Sequence, residues 1–102
     1  MKQQKIDSFR RFVIPKIYFD ELHLYVGQTM EITIEHGNIC MKPFYMESIK
    51  SRPFIGMVRR IDHLHRIVIP AEYMNVVGFL TMKKYDITKE NEKIIISESI
   101  LK

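Results

Sequence analysis

The stretch Asp7-Ser8-Phe9-Arg10-Arg11-Phe12-Val13-Ile14-Pro15 returns 55 positions later as Asp62-His63-Leu64-His65-Arg66-Ile67-Val68-Ile69-Pro70. Both copies read D-x-x-x-R-x-V-I-P. The same offset aligns residues 7–43 with residues 62–98 without a gap and gives ten identities in 37 positions. Average composition would give roughly two identities. The chain is therefore a tandem repeat of one small unit, and its fold has to be read from that repeat.

The length of the chain bounds how the two units can be arranged. The 102 residues suffice for one domain with one modest core. A unit of about 45 residues is too small to fold well alone, so we expect the two copies to share a core. We assign residues 1–43 to the first repeat, 44–55 to a connector and 56–102 to the second repeat. The connector contains Phe44 and Tyr45 and is too apolar for a free linker, so we expect it to pack across the core.

Each unit has the pattern of two strands, a short helix and two further strands. A short strand leads into a turn, and an apolar strand follows at residues 12–14 and 67–69. Pro15 and Pro70 end that strand and suit the first position of a helix. An alternating hairpin closes each unit, around residues 36–38 in the first copy and 90–92 in the second. The sequence therefore predicts a mainly β fold with short helices, built from two β-β-α-β-β repeats.

Positive charge is concentrated in two segments that correspond under the repeat. The whole chain carries a net charge of +4. Residues 1–16 contribute five basic side chains and one acidic, and residues 52–66 contribute four arginines and one acidic side chain. The remaining residues carry a net negative charge. Charge placed only for solubility would not need this concentration, so the two segments indicate a surface for an anionic partner.

Several other classes of protein find little support. No apolar run approaches the ~18 residues of a membrane span, and the N-terminus lacks the apolar core of a signal peptide. The single Cys40 allows no internal disulfide and is expected to be a buried, inert thiol in a reducing compartment. We therefore expect a cytoplasmic protein without a membrane partner.

Enzymatic motifs are absent from the sequence. It contains no glycine-rich phosphate loop, no paired cysteines and no nucleophile elbow. The spacing His63-x-His65 is the only metal-like signal, and two histidines in a turn rarely bind a structural metal without further ligands. We expect no catalytic site, no metal site and no cofactor.

A resemblance to a known family follows from these motifs. The run G-M-V-R-R-I-D-H-L-H-R-I-V-I-P-A-E from Gly56, then V-G, Y-D-I and E-K-I-I-I, resembles the AbrB/MazE/SpoVT swapped-hairpin family, or SpoVT-AbrB domain. The first unit, with R-F-V-I-P-K, L-H-L-Y-V-G-Q-T-M-E-I and H-G-N-I-C-M-K-P, resembles the same domain. Such proteins are usually homodimers of interlocked β-β-α-β-β chains. Here both halves lie in one chain, similar to the tandem MraZ-like arrangement. The resemblance implies one swapped-hairpin AbrB-like β-barrel, an intramolecular pseudo-dimer.

The resemblance also implies DNA binding and transcription regulation. In this family, arginines of the first strand and of the following turn face double-stranded DNA. The strand positions correspond to Arg59 and Arg60, and to Lys5 in the first copy, while the turn position corresponds to Arg66 and Arg11. Arg10 adds a further cation next to Arg11. The expected DNA-binding residues are Lys5, Arg10, Arg11, Arg59, Arg60 and Arg66.

Two features leave this assignment open. Arg11 and Arg66 could instead pair with Asp7 and Asp62, because D-x-x-x-R can close a loop. The sequence also departs from the family, since Arg10 and His65 stand where a glycine usually precedes the turn arginine. Helix positions that are often basic hold Phe19, Asp20, Met74 and Asn75 instead. DNA recognition would then rest on the strand-turn segments and would be asymmetric, because the second copy matches the family better.

The alternative is a MazE-like antitoxin, or another protein-binding or inhibitory module of the same fold, with a toxin or other protein as partner. Family antitoxins carry an extended, often acidic tail, and only residues 97–102 remain here for that role. The first choice is therefore a DNA-binding regulator. The sequence specifies neither the DNA target nor whether the chain forms a homo-oligomer.

Overall fold

Strands and short helices alternate in the order that the repeat predicts. The computed structural model describes residues 2–45 and 56–99. The first half contains β1 (Lys2–Ile6), β2 (Arg11–Val13), α1 (Lys16–Glu21), β3 (Thr29–Glu35) and β4 (Asn38–Pro43). The second half contains β5 (Met57–Arg60), β6 (Arg66–Val68), α2 (Ala71–Val77), β7 (Lys83–Glu90) and β8 (Lys93–Ser97). The prediction of a mainly β fold with short helices is confirmed.

The boundaries of both helices follow from their flanking residues. Pro15 and Pro70 precede α1 and α2 with φ angles of −55° and −57°, which proline adopts without strain. Gly78 ends α2 in the left-handed conformation, with φ 76°. The equivalent residue after α1 is His23, which takes φ 55°. The two halves therefore share a backbone path even where the side chain is not the one the conformation favours.

Most of the strand pairing runs between the halves. The six-stranded sheet has the order β1-β7-β8-β4-β3-β5, and β2 pairs with β6 in a separate two-stranded ribbon. The first strand of each half thus pairs with the third strand of the other half, β1 with β7 and β5 with β3. β2–β6 and β4–β8 also join the halves. Within the described residues, only the β3–β4 and β7–β8 hairpins pair inside one half.

The registers of these pairs repeat the 55-residue offset. Gln3 lies opposite Asp86 in β1–β7, and Val58 lies opposite Glu31 in β5–β3. The β2–β6 ribbon is centred on Phe12 opposite Ile67, which are equivalent residues themselves. The β4–β8 pair contains Cys40 opposite Ile95, again an equivalent pair. The two halves are therefore related by a pseudo-twofold axis that passes through the centres of the β2–β6 and β4–β8 pairings.

The expected closed barrel is wrong for the residues that the structure describes. The six-stranded sheet has two edges, β1 and β5, and the β2–β6 ribbon does not belong to it. At β1–β2 and β5–β6, the ladder consists of the backbone bonds around each turn, such as Asp7 N–H to Arg11 O at 3.0 Å. β1 then leaves β2 to pair with β7, and β5 leaves β6 to pair with β3. The turns therefore connect ribbon and sheet without a continuous ladder.

A single cluster of buried side chains lies between the ribbon, the sheet and the helices. It includes equivalent residues of both halves, and every strand except β5 contributes to it. Ile14 and Ile69, which follow β2 and β6, are 1% and 0% exposed, as expected for core positions. Cys40 is buried, and that burial raises the pKa of its thiol to about 11. The expectation of a buried, unreactive cysteine agrees with this environment.

Part of the sequence lies outside this description. Of the connector 44–55, only Phe44 and Tyr45 are described, so the expectation that it packs across the core falls on residues outside the described ranges. Phe44 donates its backbone N–H to the carbonyl of Thr29 at 3.0 Å, which continues the edge of β4 along β3. Across residues 2–45 and 56–99, no helix is long and apolar enough to cross a membrane.

The pairing between halves predicts how the chain behaves when it is divided. Cleavage of the chain after Ser51 should give two fragments that unfold less cooperatively alone than mixed, because β1 and β5 each lose their partner strand. Mixing residues 1–51 with 52–102 should restore a cooperative thermal transition in circular dichroism. A dispersed NMR spectrum from residues 52–102 alone, at a monomer's sedimentation coefficient, would contradict the shared core.

Candidate nucleic-acid interface

Two equivalent tight turns carry the arginines that the sequence singled out. Arg10 N–H donates to the carbonyl of Asp7 at 2.9 Å, and Asp7 N–H donates to the carbonyl of Arg11 at 3.0 Å. The second turn makes the same bonds, from His65 to Asp62 and from Asp62 to Arg66. This is a three-residue hairpin loop whose last residue is a bulge in the left-handed region. Each turn therefore joins its two strands in a fixed geometry.

The bulge position is occupied by residues that do not favour its conformation. Arg10 has φ 64° and His65 has φ 61°. Glycine adopts this region at no steric cost, whereas a residue with a Cβ pays roughly 1 kcal/mol. These are the positions at which the resembled family carries glycine. The backbone takes the same turn conformation at both positions although neither residue is a glycine.

Both bulge side chains reach the opposite half. The Arg10 Nε–H donates to the carbonyl of Ile69 at 3.1 Å. The His65 ring stacks on Phe19 of α1, with 3.8 Å between ring centroids and an interplanar angle of 6°. Their backbone carbonyls accept bonds from Ile69 and Ile14 respectively, again across the halves. These contacts offset the backbone cost and attach each turn to the other unit.

Arg11 and Arg66 each pair with the aspartate that opens their own turn. Asp7 Oδ1 accepts the N–H groups of Phe9 and Arg11 at 2.9 and 2.8 Å, and Oδ2 accepts the Arg11 Nε–H at 2.6 Å. Asp62 makes the same three bonds, with Arg66 Nε at 2.8 Å. The pairing that the sequence left open is therefore present in both copies. It uses one of the five N–H donors of each guanidinium, so it does not prevent contact with a ligand.

These bonds lower the pKa values of both aspartates. Burial raises the pKa of Asp7, but the hydrogen bonds from Arg11 and Phe9 outweigh it and bring the pKa below its usual value. Burial acts in the same way on Asp62, where the bonds from Arg66 and Leu64 lower the pKa. Both aspartates are thus held in the charged form at neutral pH. A charged Asp anchors the turn and orients the arginine at the same time.

The outer face of the β2–β6 ribbon presents arginine and apolar side chains together. Phe12 and Ile67 point into the core, so their neighbours along each strand face outward. Arg11 lies opposite Val68, and Val13 lies opposite Arg66. The two valines are 41% and 37% exposed. Val13 and Val68 belong to the apolar strand segments 12–14 and 67–69, and the alternation around buried Phe12 and Ile67 places them on the outer face.

Large apolar side chains also stand at the tips of the two turns. Phe9 is 66% exposed and its equivalent Leu64 is 55% exposed. The Arg11 guanidinium lies 4.8 Å from the centre of the Phe9 ring. Phe9 and Leu64 were not among the site residues predicted from the sequence. Their signal was present, since the third residue of both D-x-x-x-R motifs is a large apolar residue in a turn that would otherwise be polar.

The remaining predicted cations lie on the two edge strands. Ile6, the last residue of β1, and Ile61, which follows β5, are buried, so the preceding Lys5 and Arg60 face away from the core and are exposed. Arg59 is half-buried and its Nη1 donates to the carbonyl of Val58 at 2.8 Å. β1 leads through its turn into β2, and β5 leads into β6. Lys5 and Arg60 thus face outward on the edge strands, and Arg11 and Arg66 face outward on the ribbon to which the two turns connect those strands.

The helices contribute less charge to this surface. Phe19 and Met74 are buried and uncharged. Lys16 of α1 pairs with Asp20 at 2.9 Å. His63 is exposed in the second turn, and no cluster of three His, Cys, Asp or Glu side chains suited to a metal occurs among the described residues. The strands β1 and β5, the two arginine turns that follow them and the β2–β6 ribbon thus form the candidate interface.

The lowered aspartate pKa values predict a pH-dependent stability. Because the folded pKa lies below the unfolded value near 3.9, the stabilisation is complete above that value and is lost as pH falls through the folded pKa. The double variant Asp7→Asn/Asp62→Asn should lose about 1 kcal/mol per turn at neutral pH, since the amide cannot form the charged bond to arginine. Urea unfolding from about pH 7 down to about pH 2.5 measures it. The difference from wild type should shrink in acid, and a difference that stays constant would contradict the anchoring role.

Comparison with known proteins adds a similarity of fold. No protein-family model matches the chain, and no curated protein matches it. Among solved structures, the chain is similar to the solution structure of PHS018 from Pyrococcus horikoshii, with a TM-score of 0.52 and 11% sequence identity. The match covers 95% of this chain and 87% of that chain. At this identity the similarity concerns the fold alone, and it extends over both halves of the chain.

Proposed function

We propose that the chain binds double-stranded DNA through the outer face of β1, β2, β6 and β5 and acts as a transcription regulator of the AbrB-like class. The observation that carries the proposal is the placement of the cations. Arg11 and Arg66 face away from the core on the β2–β6 ribbon, and Lys5 and Arg60 do so on the edge strands β1 and β5, which the two turns connect to that ribbon. A row of cations across a ribbon is an arrangement that phosphates on two strands of a duplex can contact.

The pairing between halves supports the finer fold assignment that accompanies this function. We propose that the two repeats form an AbrB-like swapped-hairpin pseudo-dimer inside one chain. Its support is the crossed pairing of β1 with β7 and β5 with β3, together with the central β2–β6 ribbon. In this arrangement the two arginine turns lie at the two ends of one short ribbon, because β2 and β6 run antiparallel. The duplex would then meet both turns together.

The Asp–Arg pairs serve DNA binding in this proposal. An arginine held by its Nε has a restricted side chain, so less conformational entropy is lost when its terminal amino groups contact a phosphate or a guanine edge. Bidentate contact with guanine O6 and N7 requires such a fixed orientation. The aspartate lowers the net charge of each turn but not the number of available donors. Specificity would therefore be gained at the expense of some non-specific attraction.

A protein partner is the second candidate, and the exposed apolar side chains favour it. Phe9, Leu64, Val13 and Val68 lie among the arginines of the same outer face. An apolar centre with charged surroundings also fits a protein surface with acidic residues, as a MazE-like antitoxin or an inhibitor would use. The same residues can contact thymine methyl groups, so they do not by themselves exclude DNA. The salt dependence of binding separates the two partners.

The proposal predicts that binding affinity depends steeply on salt concentration and that β5 contributes part of that dependence. Wild type should bind a duplex from upstream of its own gene with an affinity that falls linearly in log–log form as salt rises. The Arg59→Ala/Arg60→Ala variant should bind more weakly, with the slope reduced by about one unit for each lost phosphate contact. Fluorescence anisotropy across a salt series, with this fragment and a random duplex, measures both quantities.

A control variant removes one positive charge elsewhere on the protein. Lys93 lies on β8 in the middle of the six-stranded sheet and bridges Glu35 at 2.7 Å. Lys93→Gln should leave the salt slope unchanged. Equal, weak binding by wild type and the double-arginine variant at every salt concentration would refute DNA binding. The same variants in a pull-down with an acidic protein partner would then test the second candidate.

A further inference from the structure

The two halves of the candidate interface are equivalent in backbone but different in chemistry. The 55-residue offset relates Gln4 to Arg59, Lys5 to Arg60, Ser8 to His63 and Arg10 to His65. We call β1 with its turn the first arm and β5 with its turn the second arm. A homodimer would present two identical arms to DNA. This chain presents two different arms at positions that the crossed pairing makes equivalent.

The first arm has the properties of a phosphate-binding surface. Lys5 lies directly opposite Lys84 of β7, and Lys2 precedes it on the same strand. Two ammonium groups opposite each other repel, and an anion between them relieves that repulsion. Lys83, also on β7, is compensated by Glu98 at 3.1 Å. Lysine is a point charge on a flexible stem and carries little directional information.

The second arm has the properties of a base-reading surface. Arg60 is exposed and lies opposite the neutral Thr29 on β3. Arg59 is partly buried and held by the carbonyl of Val58 through Nη1, at 2.8 Å. Arg60 supplies planar, directional donors on the outward face, which bidentate contacts with base edges require. Arg59, its neighbour along the strand, points to the opposite face. No lysine pair of the kind found at β1–β7 lies across β5–β3 in the described residues.

The turns differ in the same sense. In the first turn, the Arg10 Nε bonds the Ile69 carbonyl at 3.1 Å, which fixes a third cation beside Arg11. In the second turn, His65 stacks on Phe19 and leaves Arg66 as the arginine of that turn. The first arm is therefore richer in cations and the second arm is richer in exposed, directional groups on its strand.

We infer that the chain binds a non-palindromic duplex site in one fixed orientation, with the second arm reading bases and the first arm holding the phosphate backbone. This inference rests on the proposed DNA binding. Operator symmetry mirrors the symmetry of the protein that binds it. A pseudo-dimer with unequal arms has no twofold symmetry in its side chains, so its preferred site has none. Sequence preference then belongs to one half of the site, and the other half contributes affinity without preference.

The test exchanges the residues that distinguish the arms. One variant, Gln4→Arg/Lys5→Arg, gives the first arm the strand residues of the second. The reverse variant, Arg59→Gln/Arg60→Lys, gives the second arm those of the first. Wild type, both variants and the Lys93→Gln control are each used to select duplexes from a random pool. Thermal unfolding of each protein establishes that the exchanged strands still pair.

Wild type and Lys93→Gln should enrich one non-palindromic motif. Gln4→Arg/Lys5→Arg should add base preference in the second half and move the motif towards a palindrome. Arg59→Gln/Arg60→Lys should retain salt-dependent binding but lose discrimination between the selected site and random duplex by about tenfold or more.

Two further outcomes overturn the inference in distinguishable ways. A palindromic motif selected by wild type, with tight and salt-dependent binding, would refute the unequal roles of the arms and leave DNA binding standing. Failure of wild type to enrich any sequence, with no salt-dependent binding to the starting pool, would refute DNA binding and the inference with it. Retention of the wild-type motif by both exchange variants would also refute the assignment of base reading to Arg60.

Discussion

The crossed pairing of β1 with β7 and of β5 with β3 is the constraint on which the remaining structure depends. The first strand of each half pairs with a hairpin of the other half: β1 adds to the β7–β8 hairpin, and β5 adds to the β3–β4 hairpin. That exchange brings β2 and β6 together as a ribbon and closes one core from two units that are each too small for one. Loss of either crossed pair would expose an edge of the sheet and separate the two arginine turns.

A second, local constraint sets the form of the turns. The spacing D-x-x-x-R suits a three-residue hairpin loop with a bulge, in which one carboxylate accepts two backbone N–H groups and one arginine Nε–H. The aspartate and arginine of the motif thus fix the geometry of the turn, whether or not the arginine also contacts a ligand. Because Asp7 and Asp62 make the same three bonds, the turn survives at both sites although the bulge residue is Arg10 in one and His65 in the other. Both bulge side chains contact the opposite half, Arg10 through the Ile69 carbonyl and His65 through the Phe19 ring.

The sequence predicts the elements of the fold well because their signals are local. Alternation, prolines before the helices and the repeat itself gave the strands, the helices and their order. The partner of each strand is a long-range property, and only the resemblance pointed to exchange between halves. The closed barrel was wrong because a hairpin turn connects β1 to β2 without a continuing ladder, which no local pattern reveals.

The candidate site divides in the same way. Lys5, Arg11, Arg60 and Arg66 were predicted from the family resemblance, and alternation around buried residues turns their side chains outward in the structure. Whether Arg11 and Arg66 pair with Asp7 and Asp62 depended on side-chain geometry, and the sequence left it open. Exposure of Val13, Val68, Phe9 and Leu64 could not be predicted from hydrophobicity, because apolar residues in and beside a strand indicate burial. Their role on the outer face emerges only from the pairing of β2 with β6.

The central claim is that the two hairpins and the ribbon between them form one DNA-binding face. Amide chemical-shift mapping by NMR during titration with a duplex tests it most directly. The account predicts that the largest changes fall in residues 2–13 and 57–68, in both arms at the same duplex concentration. The hairpin turns at residues 36–37 and 91–92, which lie at the far ends of β3–β4 and β7–β8, should remain unchanged. Changes centred on those turns, or changes in neither arm, would contradict the account.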